Sequence, residues 1–118
     1  MNLSEKQRLF TRLLGTLIKA IYDDGHEATL GDAYRSPEMA AIYAKQGKGI
    51  KNSLHTLRLA MDLNLFKDGK YLSDSKSYTV FGEYWESLGK TYGVNTTWGG
   101  RFSKPDGNHF SIEHEGIK

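Results

Sequence analysis

Between Asn52 and Phe66 the chain reads NSLHTLRLAMDLNLF, and from Leu59 onward its residues alternate. Leu59, Met61, Leu63 and Leu65 fall to one side, and Ala60, Asp62, Asn64 and Phe66 largely to the other. A period of two over this length requires an extended strand with one apolar face, so another layer must cover that face. Asp62 points away from the core. His55 stands seven residues earlier; on one straight strand, at about 3.3 Å per residue, the two would lie about 23 Å apart. A continuous helix still separates them by a rise of about 10.5 Å. To share a site they need a bend, and Thr56 to Arg58 is the natural place for it. For this pair alone, a surface histidine and a hydrogen-bonded strand aspartate are the simpler account.

A second stretch repeats the design. In Trp98 to Glu113, WGGRFSKPDGNHFSIE, Phe110 and Ile112 alternate with His109, Ser111 and Glu113, which predicts a strand with His109 on its polar face. If both strands belong to one sheet, His55, Asp62 and His109 converge. Two imidazole nitrogens and a carboxylate oxygen are donors that zinc accepts, with a fourth position open to water, as in catalytic sites. Asp106 precedes His109 by three residues, across a tight turn at Gly107. Its carboxylate is placed to reach such a water without being a ligand, the geometry required of a general base.

Several ordered motifs carry a resemblance. SLHTLRLAMDL resembles the S-x-H-x-x-G-x-A-x-D signature of the zinc peptidases that include D-alanyl-D-alanine carboxypeptidases, dipeptidases and phage L-alanyl-D-glutamate endopeptidases. DGNHF is similar to their second signature, a carboxylate three residues before the last histidine ligand. Ala33-Tyr34-Arg35-Ser36 resembles their G-Y-R-S segment, and Gln46-Gly47-Lys48 the Q-G-R/K that follows it. Trp98-Gly99-Gly100 is similar to the W-G-G before the final strand in the phage branch. The likeness spans roughly Leu30 to Ile112. It implies that His55, Asp62 and His109 are zinc ligands, Asp106 the catalytic base, and Arg35 a substrate or oxyanion contact. It further implies a peptidoglycan stem peptide as substrate, with cleavage between L-alanine and D-glutamate. The alternatives are a D-Ala-D-Ala carboxypeptidase or dipeptidase, and a catalytically inactive relative that binds wall fragments. The chain departs from the pattern at Ala33 and at Arg58, where the family usually has glycine. An arginine held in the left-handed region costs about 1 kcal/mol.

The remaining chain supplies the frame. Phe10, Leu13, Leu14, Leu17, Ile18 and Ile21 recur at helical spacing, predicting a helix from Ser4, with Gln7 as its capping-box partner, to about Tyr22. Glu27 to Arg35 reads as an extended approach, and Ser36 caps a short helix from Pro37 whose packing face is Ala40, Ala41 and Tyr43. Gln46 to Ser53 is a polar loop that lacks the spacing of a phosphate-binding loop. It leads into His55 and borders the expected cleft, with Ser53 as a substrate contact. Lys67-Asp68-Gly69-Lys70 is a hairpin turn. Ser75 to Gly93 reads as a second long helix crowded with aromatic residues, and Trp98 is expected to line the cleft. His26 and His114 read as surface residues. The fold expected is α+β: one domain over residues 1–118, with a small, mostly antiparallel sheet carrying the metal site and two long helices packed against it, hedgehog/D-Ala-D-Ala peptidase-like.

Charge and composition exclude other classes. Sixteen Lys and Arg against fourteen Asp and Glu leave a net charge of +2, without a basic block, which argues against a nucleic-acid partner. The chain has no cysteine, so neither a disulfide framework nor a thiolate metal site is available. No apolar run reaches the length of a membrane span, and the first residues do not read as a signal peptide. The expectation is a monomer of cytoplasmic location that acts on the cell wall after release.

Overall fold

The computed structural model describes residues 1–48 and 52–118, so the centre of the expected Gln46–Ser53 loop lies outside the described residues. Helix α1 spans Leu3–Asp23 and buries Phe10, Leu13, Leu14, Leu17 and Ile21. Its cap differs from expectation. Asn2, not Ser4, is the N-cap: its Oδ1 accepts from Glu5 N at 2.8 Å, and Asn2 N donates to Glu5 Oε1 at 2.9 Å. Asparagine caps as well as serine does, and starting here satisfies two otherwise orphaned N–H groups.

Strand β1 (Glu27–Leu30) follows, then α2 (Pro37–Lys45), where Ser36 Oγ accepts from Met39 N at 3.1 Å. Ala40 alone of its expected packing face is fully buried, with Ala41 and Tyr43 half-buried. Strands β2 (Ala60–Lys67) and β3 (Lys70–Tyr71) form the hairpin, with Asp68 and Gly69 both at positive φ, 51° and 76°. The long second helix begins as a 3-10 turn over Ser75–Tyr78 and becomes α3 over Thr79–Tyr92; Gly93 ends it at φ 70°. Strands β4 (Thr96–Trp98) and β5 (His109–Ile112) complete the sheet.

Among the described residues the sheet runs β1-β2-β5-β4, with β3 beside the end of β2 and every pairing antiparallel. Directly opposed residues share a face. The pairs Met61↔Phe110 and Asp62↔His109 therefore divide the sheet into two surfaces. On the first, Leu59, Leu63, Leu65, Phe110 and Ile112 join the side chains of α1 and α3 in the core. Trp85 sits between the two helices and the sheet, edge-on to Phe10 at 5.8 Å and to Phe110 at 6.0 Å. Tyr78 is buried with its hydroxyl satisfied, donating to Leu72 O and accepting from Leu65 N, whereas Val80 and Tyr92 on α3 face outward. Among the described residues no helix is long and apolar enough to cross a membrane.

His26 and His114 are half-buried and not surface residues as expected. His26 packs edge-on against Phe81 at 5.1 Å. His114 Nδ1 lies 3.1 Å from Lys6 Nζ. Both contacts join elements far apart in sequence and leave no local pattern.

Candidate active site

The second surface of the sheet carries Ala60, Asp62 and Asn64 on β2 beside His109 and Ser111 on β5. His55 reaches it from a 3-10 turn, Leu54–Leu57, which forms the bend demanded between His55 and Asp62. Ser53 Oγ caps this turn, accepting from His55 N at 3.1 Å. Arg58 ends it in the left-handed conformation, φ 56° and ψ 37°. The arginine thus takes the backbone shape that glycine takes freely. Its guanidinium lies 4.0 Å from the centre of the Tyr34 ring, a cation–π contact worth about 0.5–1 kcal/mol, similar in size to the backbone cost.

Each ligand candidate is oriented by a second partner. His55 Nδ1 donates to Ala33 O at 2.9 Å, which leaves Nε2 bare and 3.4 Å from Asp62 Oδ1. His109 Nε2 is bonded to Ser111 Oγ at 3.0 Å, and its Nδ1 lies 3.6 Å from the same Asp62 oxygen. Asp62 is fixed through its backbone: its N–H donates to Asp32 O at 2.8 Å and its carbonyl accepts from Gly31 N at 2.7 Å. One donor atom from each of the three residues lies within 4.8 Å of the other two.

The chemistry of this cluster fits a cation. Asp62 Oδ1 is buried and has no hydrogen-bond partner among the described residues, a costly arrangement unless a positive charge faces it. Burial alone would raise the Asp62 carboxyl, but the imidazoles of His109 and His55 facing it overcome this and hold the pKa at about 2. His55 shows the reciprocal effect: burial opposes its charge, yet Asp62 and the Ala33 carbonyl raise its pKa, against a smaller opposing influence of Arg35. A carboxylate that stays ionised, beside two imidazoles each turned by an outer partner, is the donor set of a catalytic zinc.

Asp106 lies on the loop before β5. Its N–H donates to Gly99 O at 2.9 Å and its carbonyl accepts from His109 N at 3.1 Å, which ties the carboxylate's position to the ligand beside it. A Cβ on Gly99 would collide with Asp106 O, so the close approach requires glycine there. The residue is exposed as a whole, but loss of water around its carboxyl, and secondarily the Asp62 charge, raise its pKa, while His109 and His55 partly counter them.

Arg35, Ser53, His55, Asp62, Asp106 and His109 all line one cavity of about 470 Å³. Ser53 is largely buried there, with its hydroxyl engaged in capping. Trp98 is the exception. It is 3 % exposed, and its ring packs against Gly82 and Gly100 while Nε1 donates to Gly107 O at 2.7 Å. The expected cleft residue is therefore a core residue that braces the Asp106 loop. Gly82 and Gly100 allow close packing around the indole. Asp32, Lys48 and Phe102 also line the cavity. Phe102 lies 5.4 Å from the His109 ring, centre to centre. Neither it nor Asp32 has a spacing that marks it in sequence, although Asp32 falls within the approach to Arg35.

The family model described as D-alanyl-D-alanine carboxypeptidase matches residues 45–112. No curated protein sequence matches the chain. Among solved structures, the chain is similar to the Serratia marcescens L-Ala D-Glu endopeptidase ChiX, with a TM-score of 0.74 and 17% identity, over 93% of this chain and 85% of that one. It is also similar to a mutant of the vancomycin resistance D,D-pentapeptidase VanY from a VanB-type resistance cassette, in complex with Zn(II), with a TM-score of 0.51 and 18% identity, over 87% and 70% of the two chains. With more than half its length matched, the chain belongs to the D-alanyl-D-alanine carboxypeptidase family and is a zinc-dependent peptidoglycan peptidase.

Proposed function

We propose that this enzyme is an L-alanyl-D-glutamate endopeptidase of the peptidoglycan stem peptide, with zinc held by His55, Asp62 and His109. The observation that carries this reading is the extent of the fold likeness to the L-Ala D-Glu endopeptidase ChiX, which takes in nearly the whole of both chains. The shape of the site agrees with it. Asp106 also lines a second cleft with Tyr71, Asp74 and Asn108, which offers further room for peptide beside the base. A carboxypeptidase needs space for only one terminal residue on one side.

Bound zinc supplies a Lewis acid that polarises the scissile carbonyl and lowers the pKa of the attacking water. Asp106 accepts a proton from that water at its carboxylate and passes it to the leaving amine. A raised pKa suits a group that must both take and return a proton. Arg35, with its side chain largely enclosed in the same cavity, presents positive charge to the carbonyl oxygen or to a substrate carboxylate. The likeness of Trp98-Gly99-Gly100 to the W-G-G of the phage branch supports placing the enzyme with the phage endolysins.

Digestion of purified peptidoglycan by the zinc-loaded protein, with fragments read by mass spectrometry, tests the assignment. New amino termini at glutamate, absent with Asp106→Ala, are expected. The family description favours a second reading, a D-alanyl-D-alanine carboxypeptidase; release of terminal alanine would establish it and overturn the first. Absence of any Asp106-dependent product would leave an inactive wall-binding relative.

A further inference from the structure

The segment between β1 and α2 runs alongside both arms of the metal cluster. Gly31 N and Asp32 O bond the backbone of Asp62 at 2.7 and 2.8 Å, Ala33 O accepts from the His55 ring at 2.9 Å, and Arg35 N donates to His55 O at 3.0 Å. Gly31 permits this approach, since a Cβ there would lie 3.0 Å from Asp62 O and 3.1 Å from Asp62 Cβ. Within the segment Asp32 makes two connections. Its carbonyl accepts from the N–H of Asp62, and its carboxylate Oδ2 accepts from Arg35 Nη2 at 2.7 Å. Among the described residues, Asp32 is the only side chain that hydrogen-bonds the Arg35 guanidinium.

We propose that Asp32 is a positioning residue that fixes the Arg35 guanidinium relative to the Asp62 carboxylate, and so to the point where substrate charge is bound. This rests on the role given to Arg35 above. An arginine side chain is long and rich in rotamers, so its contribution to a charged intermediate depends on being held in place beforehand. Tyr43, 5.2 Å beneath the guanidinium, limits movement on one side, and Asp32 sets its direction. A single bond to one Nη leaves the remaining donors of the fork for substrate.

Two measurements on the zinc-loaded protein test this. In a cycle of Asp32→Ala, Arg35→Ala and the double variant, Asp32→Ala is expected to lower kcat/KM by roughly 10-fold or more, as loss of an outer positioning partner commonly does. The double variant should be no worse than Arg35→Ala, because Asp32 acts through the arginine. Zinc stoichiometry should remain unchanged throughout. Equal activity in wild type and Asp32→Ala, additive losses in the double variant, or loss of zinc with Asp32→Ala would each overturn the proposal. The second measurement needs no substrate: the Arg35 guanidinium NMR resonances are expected to be resolved and slowly rotating in the wild type and averaged in Asp32→Asn, an isosteric change that also serves if Asp32→Ala does not fold. Unchanged resonances overturn the proposal even if the wall digest fails, whereas a failed digest with the NMR change present overturns only the peptidase assignment.

Discussion

His109 and Phe110 are neighbours on β5, yet they belong to different kinds of structure. Phe110 is fully buried among apolar side chains from both helices, where contacts are numerous and none is special. His109 is nearly as buried, but it meets one carboxylate, one hydroxyl and another histidine. One face of the sheet is stable as built. The other retains a buried Asp62 oxygen without a hydrogen-bond partner among the described residues, the position that the proposed zinc would satisfy. A strand that alternates between the two lets the core fix the positions of the side chains on the polar face.

Breaking the polar side should have the larger effect on function and the smaller effect on folding. His109→Ala is expected to reduce zinc affinity by more than roughly 100-fold, beyond the usual cost of losing an outer partner, and to abolish hydrolysis. Zinc titration against a chelator reads the affinity, and circular dichroism should show the fold retained. Full zinc occupancy in this variant would remove His109 from the ligand set.

Phe110→Ala reverses the pattern. Truncating a fully buried phenylalanine costs about 3–5 kcal/mol, enough to threaten a domain of this size, while no metal ligand is removed. Denaturant unfolding of the zinc-loaded variant should show the loss, and whatever fraction remains folded should still bind zinc. A small loss would mean that the helices close around the gap.

The same contrast explains what could be read in advance. Alternation from Leu59 to Phe66 and the helical stripe from Phe10 to Ile21 identify the apolar face, because burial imposes a period on sequence. The ordered histidine and aspartate motifs identify the polar face, because ligand chemistry restricts residue type. Trp98 defeats this logic: an indole beside two glycines fits either an open cleft or a tight contact, and only the approach of Gly82 from α3 decides between them. Asp32 also lies beyond local pattern, since its importance comes from Asp62, thirty residues later in the chain. The cap falls at Asn2 and not at Ser4 for a simpler reason: the Asn2–Glu5 and Ser4–Gln7 pairs are overlapping capping signals of similar strength.

The zinc-free protein should reveal the electrostatic half of the comparison through pH. Asp62 has a folded pKa of about 2, below its ordinary value, so its contribution is present above roughly pH 4 and lost as pH falls through about 2. His55 has a raised pKa, so its contribution is present below about pH 6.5 and lost as pH rises through the raised value. Both describe one attraction, worth on the order of 2 kcal/mol and fully in place between roughly pH 4 and 6.5. Thermal midpoints of zinc-free wild type and Asp62→Asn, compared from pH 2 to 9, should differ most inside that window and converge at both ends. A constant difference across the range would attribute the change to packing.

The smallest effect is expected at the junction of the two faces, where Arg58 turns the chain from the His55 arm into β2. At φ 56° a glycine in its place would relieve the backbone strain of about 1 kcal/mol. It would also give up the guanidinium contact with Tyr34, worth about 0.5–1 kcal/mol, and gain entropy in the unfolded chain. These changes oppose one another, so Arg58→Gly should alter the unfolding free energy by less than about 1 kcal/mol and leave zinc affinity unchanged. The half-exposed Tyr34, freed from the arginine, is the place where any difference should be visible, as a change in tyrosine fluorescence or ring resonances. If the variant folds normally but no longer cleaves, Arg58 contributes charge to the reaction as well as shape to the loop. If it binds zinc more weakly, the arginine holds the His55 turn against Asp62 in a way that the left-handed backbone alone does not.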